Sequence, residues 1–476
     1  MANATTDVGT RDRARVPIDT VGLLRQYAGP LFALVATAWW LIEVTRAWAG
    51  RDAPSVTVGA ALLAVAVLLV RPDRVLPRTA VYLATAVSAA AFVVPLTAPT
   101  GWTGAPDGAL YACGAWLAVT VAAVLVARPE ATVLLVILVA ASAPIEFMSG
   151  WLSWWGGKDP TAAMQGTFYW HNPFAAFLVP GGLIGLALWI WRERVIALLG
   201  LVSFALATVG VVYSTSRASL AIFALGFALV VAVAAVDGRR WRALRQLAVA
   251  AVLAAGATFF VGGPPFFPHR ASPLAATQAR TAGQSLSQNG GYRLDFWHQA
   301  LGVFSRHPLT GGGYKSLVRE SIGHVPAHSA VSPYAHNGYL QALGEGGLVL
   351  AIPFLLGIVV LAFLCLRILV RGVIRRRVAP ETVVVAIAFG CVLLHSGVDF
   401  DWTYAADFAL AAVLAGLVLG YSLTGRAAPA DAKPGRARAA VLALCVLVGV
   451  GALGVSAWVQ RNGNHAESIL SSAQRR

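Results

Sequence analysis

Apolar runs of about 20 residues, the length that crosses a bilayer core, recur along this chain with short polar breaks between them. Nine such runs, near 29–47, 56–71, 79–97, 110–127, 130–147, 172–191, 195–214, 218–236 and 246–262, precede one long polar interruption at 263–346. Four more, near 347–369, 382–398, 404–422 and 438–458, follow it. The runs are apolar all round. A soluble helix needs a polar face, whereas a bilayer accepts any helix that satisfies its own backbone. The pattern predicts an all-α fold: a polytopic transmembrane helical bundle with one large loop that contains short helices.

Composition agrees. Hydrophobic residues make up 58 % of the chain and charged residues 12 %, about half the charged share of a soluble domain; mean hydropathy is +0.70. The net charge of +15 would suggest nucleic acid in a soluble protein, but zinc-finger spacing, aromatic–basic interleaving and a recognition helix are all missing, so no nucleic-acid partner is expected. The basic clusters at 71–78, 128, 192–194, 239–245, 371–377 and 426–438 instead fall in alternate loops. By the positive-inside rule those loops are cytoplasmic and bind anionic lipid.

This orientation organises the whole chain within the cytoplasmic membrane. Residues 1–28 form a cytoplasmic segment, and 29–262 a membrane domain of about nine helices beginning with a retained first span. Residues 263–346 form a large extracytoplasmic loop and 347–422 about three further helices. A cytoplasmic linker at 423–437, an added helix at 438–458 and an extracytoplasmic tail at 459–476 complete the chain. Trp48, Trp102, Trp151, Trp154, Trp155, Trp170, Trp402 and Trp458 fall near outer ends and read as an aromatic belt, with sugar stacking by the Trp151, Trp154 and Trp155 group as the alternative. Cys113, Cys365, Cys391 and Cys445 lie inside spans and read as small apolar fillers.

The long loop gathers the chemistry. It holds six of the nine histidines and an excess of three positive charges, histidines aside. That excess breaks the positive-inside trend and suits an anion. Arg293, Arg306, Lys315 and Arg319 are candidate contacts, because arginine offers a fixed fork of donors to phosphate oxygens; headgroup contacts and local ion pairs are the plainer reading. Asn289-Gly290-Gly291 predicts a turn, and Arg293–Arg306 predicts an amphipathic helix with Leu294, Trp297, Leu301 and Phe304 on its apolar face and Asp295 near its start. Gly311-Gly312-Gly313 lacks the Lys-Ser/Thr of a nucleotide loop.

His336, followed by Asn337, Tyr339 and Glu345, begins a helix that runs into the next span, which would fix an imidazole at the membrane surface where it can take a proton from a sugar hydroxyl. Surface exposure or a satisfied hydrogen bond is the bland alternative. His324 and His328 show no metal-ligand spacing with His336, so no metal and no cofactor is expected. Three further groups belong to the same predicted side: Arg217 in Tyr213-Ser214-Thr215-Ser216-Arg217, Asn172 in His171-Asn172-Pro173, which with Asn337 and Tyr339 is a candidate substrate contact, and His395 with Asp399 and Asp401. The last cluster would complete the cavity or balance the arginines.

The motifs Thr215-Ser216-Arg217, Tyr292-Arg293-Leu294-Asp295-Phe296-Trp297, His307-Pro308-Leu309-Thr310-Gly311-Gly312-Gly313 and Ala335-His336-Asn337-Gly338-Tyr339-Leu340-Gln341 with Gly344-Glu345-Gly346-Gly347 resemble, in kind and order, those of the O-antigen ligase and polysaccharide polymerase superfamily. The resemblance covers roughly 200–350. Ala218 stands where the related turn commonly has glycine, and a thirteenth span departs from the twelve usual for the ligases.

The resemblance implies a metal-independent, inverting glycosyltransferase. Its donor would be a polyprenyl-diphosphate-linked glycan and its acceptor an envelope glycan, lipid or protein, at the outer face of the cytoplasmic membrane. Carried over, Arg217 and Arg293 hold or polarise the diphosphate and His336 deprotonates the acceptor hydroxyl. Ligase is the first expectation and polymerase the second; a transporter or non-enzymatic envelope factor is a different class, which broken spans and a midplane ionisable site would favour.

Overall fold

The computed structural model describes residues 20–42, 53–100, 105–155, 157, 159–262, 270–281, 286–317, 319, 332–375 and 378–424. These residues form an all-α bundle. Its helices are α1 (Thr20–Ile42), α2 (Ala53–Val70), the short α3 (Pro72–Val75), α4 (Arg78–Thr97), α5 (Ala105–Ala127), α6 (Ala131–Trp155), α7 (His171–Trp191), α8 (Arg194–Tyr213), α9 (Arg217–Val236) and α10 (Arg240–Gly262). In the long loop lie α11 (Pro273–Thr281) and α12 (Leu286–Arg306). Then come α13 (Gly338–Leu369), α14 (Pro380–Ser396) and α15 (Ala405–Thr424).

Each apolar run before residue 425 coincides with a helix. Nine helices among the described residues are long and apolar enough to cross a membrane; Pro380–Ser396 and the Tyr27–Leu41 part of α1 are apolar but shorter. The protein is thus a multi-pass membrane protein. The run 438–458, the linker beyond Thr424 and most of 1–28 lie outside the described residues, as do His324 and His328.

α7 forms the axis of the bundle. It packs against α6, α8, α9 and α14, and apart from its first two residues only Trp189 and Trp191 escape burial. Glycine makes such contact possible: a Cβ at Gly185 would meet the Gly200 carbonyl oxygen at 2.7 Å, and one at Gly200 would meet the Gly185 oxygen at 2.3 Å. The α7–α8 backbones therefore approach through small residues, as membrane helices do without a hydrophobic drive between them. At one end of the bundle, Arg192 pairs with Glu381 at 3.0 Å, among the basic loops. The opposite end carries the long loop and the starts of α7, α9, α13 and α15.

α13 is broken at that end. Gly347 has φ 57 and ψ −162, a region open essentially to glycine alone. The glycine run of the long loop inserts into the break. Gly312 and Gly313 N–H groups donate to the Gly344 and Glu345 carbonyls at 3.0 and 2.9 Å, and Leu348 and Val349 N–H groups donate to the Pro308 and Leu309 carbonyls at 2.9 Å each. Irregular backbone inside a membrane protein needs such partners. This clasp, and not a phosphate cradle, is the use of Gly311–Gly313: the Gly311 N–H is likewise committed, to the His307 carbonyl at 2.9 Å.

The structure corrects three details of the loop. α12 runs unbroken through Asn289, Gly290 and Gly291, so the expected turn is absent and Asp295 sits mid-helix, away from the first turn. Its buried side is Phe296, Ala300 and Val303, whereas Leu294 and Leu301 are exposed. The reason is steric: Ala300 lies against Gly344, where a Cβ would meet the Ala300 carbonyl oxygen at 3.0 Å, and a leucine face could not approach so closely. The aromatic belt also loses members. Trp402 is buried against Tyr339 and Phe354, and Trp154 is buried beneath the Arg270 guanidinium at 4.7 Å.

Candidate functional site

At the loop-bearing end, residues from four segments of the chain converge on one carboxylate. Asp399 lies in the connection between α14 and α15 and is fully buried. Asn172, in the first turn of α7, donates to its Oδ2 at 2.7 Å, and the Phe400 N–H donates to its Oδ1 at 2.9 Å. Arg293 of α12 brings a guanidinium nitrogen to 3.9 Å of Oδ2. His336, two residues before α13, brings Nδ1 to 3.3 Å of Oδ1, an ion-pair distance without hydrogen-bond alignment. Burial alone would push the Asp399 carboxyl up; the adjoining His336, with His395 and Arg293, outweighs it and holds the group well below the usual carboxylate range. Burial pushes the neighbouring Asp401 carboxyl up, against the pull of His395.

His336 is clamped. Its ring stacks on Phe296 of α12 at 5.3 Å and meets the Phe400 ring edge-on at 4.7 Å. Phe400 in turn stacks on Tyr334 at 4.3 Å. His336 has φ 49 and Thr215, beside Arg217, has φ 58. Left-handed backbone at a non-glycine residue costs on the order of 1–3 kcal/mol and persists where the surroundings over-determine it. Of the five such residues among those described, two thus flank the candidate site.

The other expected residues divide plainly. Arg217 opens α9, exposed, at the same end of the bundle. Asn337 is the N-cap of α13: its Oδ1 accepts from Tyr339 and Leu340 N–H at 3.0 Å each, and its Nδ2 donates to the Gly397 carbonyl at 2.9 Å. Tyr339 donates to the Leu393 carbonyl at 2.7 Å. Both positions fasten α13 to α14 and so aim His336. Lys315 pairs with Asp107 of α5 at 3.0 Å, beside the clasp. Arg306 ends α12, about 20 Å along the helix from Arg293 at 1.5 Å per residue. Arg319 is exposed. Arg270 is buried and donates to the Trp154, Gly157 and Asp159 carbonyls, so at least this loop cation is structural. The structure brings Arg293, His336 and Asn172 together around Asp399 and leaves Arg306, Lys315 and Arg319 outside that contact. Among the described residues no His/Cys/Asp/Glu group is arranged to hold a metal ion.

Fold and site together define an integral membrane protein with an ionisable, aromatic-lined centre at one end of a helical bundle. Residues 202–355 match the family model described as O-Antigen ligase. The match takes in Arg217, Arg293, His336 and the clasp; Asn172, His395, Asp399 and Asp401 come from outside it. No curated protein matches the chain. The match supports a ligase- or polymerase-type glycosyltransferase activity at a membrane.

Proposed function

We propose that the protein is a metal-independent, inverting glycan ligase that moves a glycan from a polyprenyl-diphosphate carrier to an envelope acceptor at the outer face of the cytoplasmic membrane. One observation carries this reading: the histidine and an arginine of the family motifs meet on the buried carboxylate of Asp399. Asp399 faces His336 Nδ1, which leaves Nε2 to receive the acceptor's hydroxyl proton; a base held by a third group is the arrangement that activates oxygen nucleophiles. The acceptor oxygen then bonds to the anomeric carbon while the bond from that carbon to the phosphate oxygen breaks. Polyprenyl diphosphate departs with the electron pair, and Arg217 and Arg293 offset its charge. The basic loops at the opposite end of the bundle support the orientation.

The test is mass spectrometry of polyprenyl-linked intermediates and envelope glycans in cells with the protein, without it, and with His336→Ala. Loss of the glycan product and accumulation of the full-length lipid-linked donor, in both the deletion and the variant, are expected. Intact single repeats that fail to lengthen would indicate a polymerase instead. Undiminished transfer by His336→Ala would sink the base assignment, and unchanged profiles on deletion would sink the transferase reading. Arg217→Lys and Arg293→Lys should restore donor use incompletely, because lysine lacks the fork.

A further inference from the structure

Beneath the Arg217 turn runs a file of buried side chains that the proposed chemistry does not use. Ser216, the N-cap of α9, donates its hydroxyl to Ser219 Oγ at 3.0 Å. Ser219 Oγ meets His395 Nε2 at 2.9 Å, on α14, and His395 Nδ1 meets Asp401 Oδ2 at 2.8 Å. Ser396 Oγ donates to that same carboxylate oxygen at 3.2 Å. All five side chains are buried. Ser216 uses its one hydroxyl proton on Ser219, so the Ser219 proton is directed to His395 Nε2 and the Nδ1 proton to Asp401; the tautomer follows from this network. Every donor in the file points toward Asp401.

The order Ser, His, Asp is that of a nucleophile relay, but Ser219 is 0 % exposed and no substrate reaches its oxygen. The file is a strut. One end is the residue before Arg217. The other is in the loop of Asp399, two residues away, where Arg293 and His336 converge. An imidazole buried between a hydroxyl and a carboxylate cannot turn without leaving polar groups unsatisfied on both sides, which gives the strut its stiffness.

We infer that His395 is a positioning residue that sets the spacing between the Arg217 turn and the Asp399 loop, so that Arg217 and Arg293 act on one diphosphate. This rests on the reading that both arginines contact that group. The file supplies what neither element has alone: α9 and α14 pack side by side, and Ser219–His395 is a direct polar bond between them at the site end.

The experiment is a double-mutant cycle of His395→Ala with Arg217→Ala in the purified full-length protein. The donor is the polyprenyl-linked lipid fraction extracted from cells lacking the protein, and membranes of the same cells supply the acceptor. Release of polyprenyl diphosphate gives kcat and KM, and thermal unfolding is followed in parallel. His395→Ala should lower kcat/KM about 10- to 100-fold, the scale of a misplaced contact group. Adding it to Arg217→Ala should lower turnover hardly further, since effects that act through one residue do not add.

His395→Asn, which keeps a donor near Asp401, and His395→Gln, whose amide oxygen can accept from Ser219, should each recover part of the loss. Should His395→Ala fail to fold, the cycle is read on Ser219→Ala, which cuts the file at one hydroxyl. Independent, multiplying losses, or full activity in His395→Ala, would overturn the inference while a loss in Arg217→Ala left the proposed function standing. Full activity in Arg217→Ala would remove the diphosphate reading and the inference with it.

Discussion

Replacing Gly347 with alanine attacks the point where the long loop and α13 interlock. The backbone there lies at φ 57 and ψ −162, which a side chain tolerates only at a cost of about 1–3 kcal/mol. The added Cβ would also lie 2.4 Å from both the Gly311 nitrogen and the Leu309 carbonyl oxygen, so the glycine run must retreat by roughly 1 Å to reach ordinary contact. That retreat stretches the four backbone hydrogen bonds of the clasp. Losing the equivalent of two, at about 1 kcal/mol each, adds about 2 kcal/mol. The expected loss is about 3–5 kcal/mol, enough to unfold much of a marginally stable protein.

The assay is reversible unfolding in mixed micelles, with Gly390→Ala as the control. A Cβ at Gly390 meets nothing within 4 Å, and alanine there should change stability by less than about 1 kcal/mol. Gly311→Ala should resemble Gly347→Ala, because its Cβ would lie 2.4 Å from the Glu345 carbonyl oxygen. The double variant should then lose less than the sum. Gly347→Ala as stable as the Gly390→Ala control would refute the clasp as a source of stability.

Asp399→Asn should keep the Asn172 contact yet reduce transfer about 100-fold or more, by removing the charge that faces His336; steady-state turnover reads this. The same substitution has a signature in pH. A carboxyl held low in the folded state contributes stability that is complete above its unfolded value and fades as pH falls through the folded one. The stability gap between parent and variant should therefore shrink as pH is lowered from 7 toward 3, and a gap that widened would refute the assignment. His336→Gly should be more stable than His336→Ala by about 1 kcal/mol, because glycine accepts φ 49 without strain; both should be inactive. Arg270→Ala should cost about 2–4 kcal/mol through three orphaned carbonyls and the lost Trp154 stack, with loosened loop proteolysis as a second readout.

The helices were legible because apolarity sustained on every face over about 20 residues suits a bilayer and little else. The start of α12 was not: Gly290 and Gly291 punctuate the sequence like a turn, yet the helix runs through them. Its buried face does not follow the largest side chains, because Ala300 makes the close approach to Gly344. Arg293, His336 and Asn172 could be singled out by type and placement. Their common partner could be named only as one of an outer cluster, because Asp399 is 227 positions from Asn172 and periodicity is blind to such pairings. The break at Gly347 was equally hidden: a glycine pair in an apolar run reads as flexible packing until the loop that fills it is seen.

The enclosure of α7 and the openness of α13 have a consequence for traffic. Asn172 stands on a span that is 89 % buried in protein, and His336 leads into one that is 22 % buried. Among the described residues, the candidate centre therefore extends along a radius, from the sheathed axis of the bundle to a flank that they leave uncovered. On the proposed function, a carrier can slide in sideways with its head drawn toward the axis and its hydrocarbon tail still among the acyl chains. Tail length would then matter little to admission, and a spent carrier would diffuse away in the bilayer plane without crossing water.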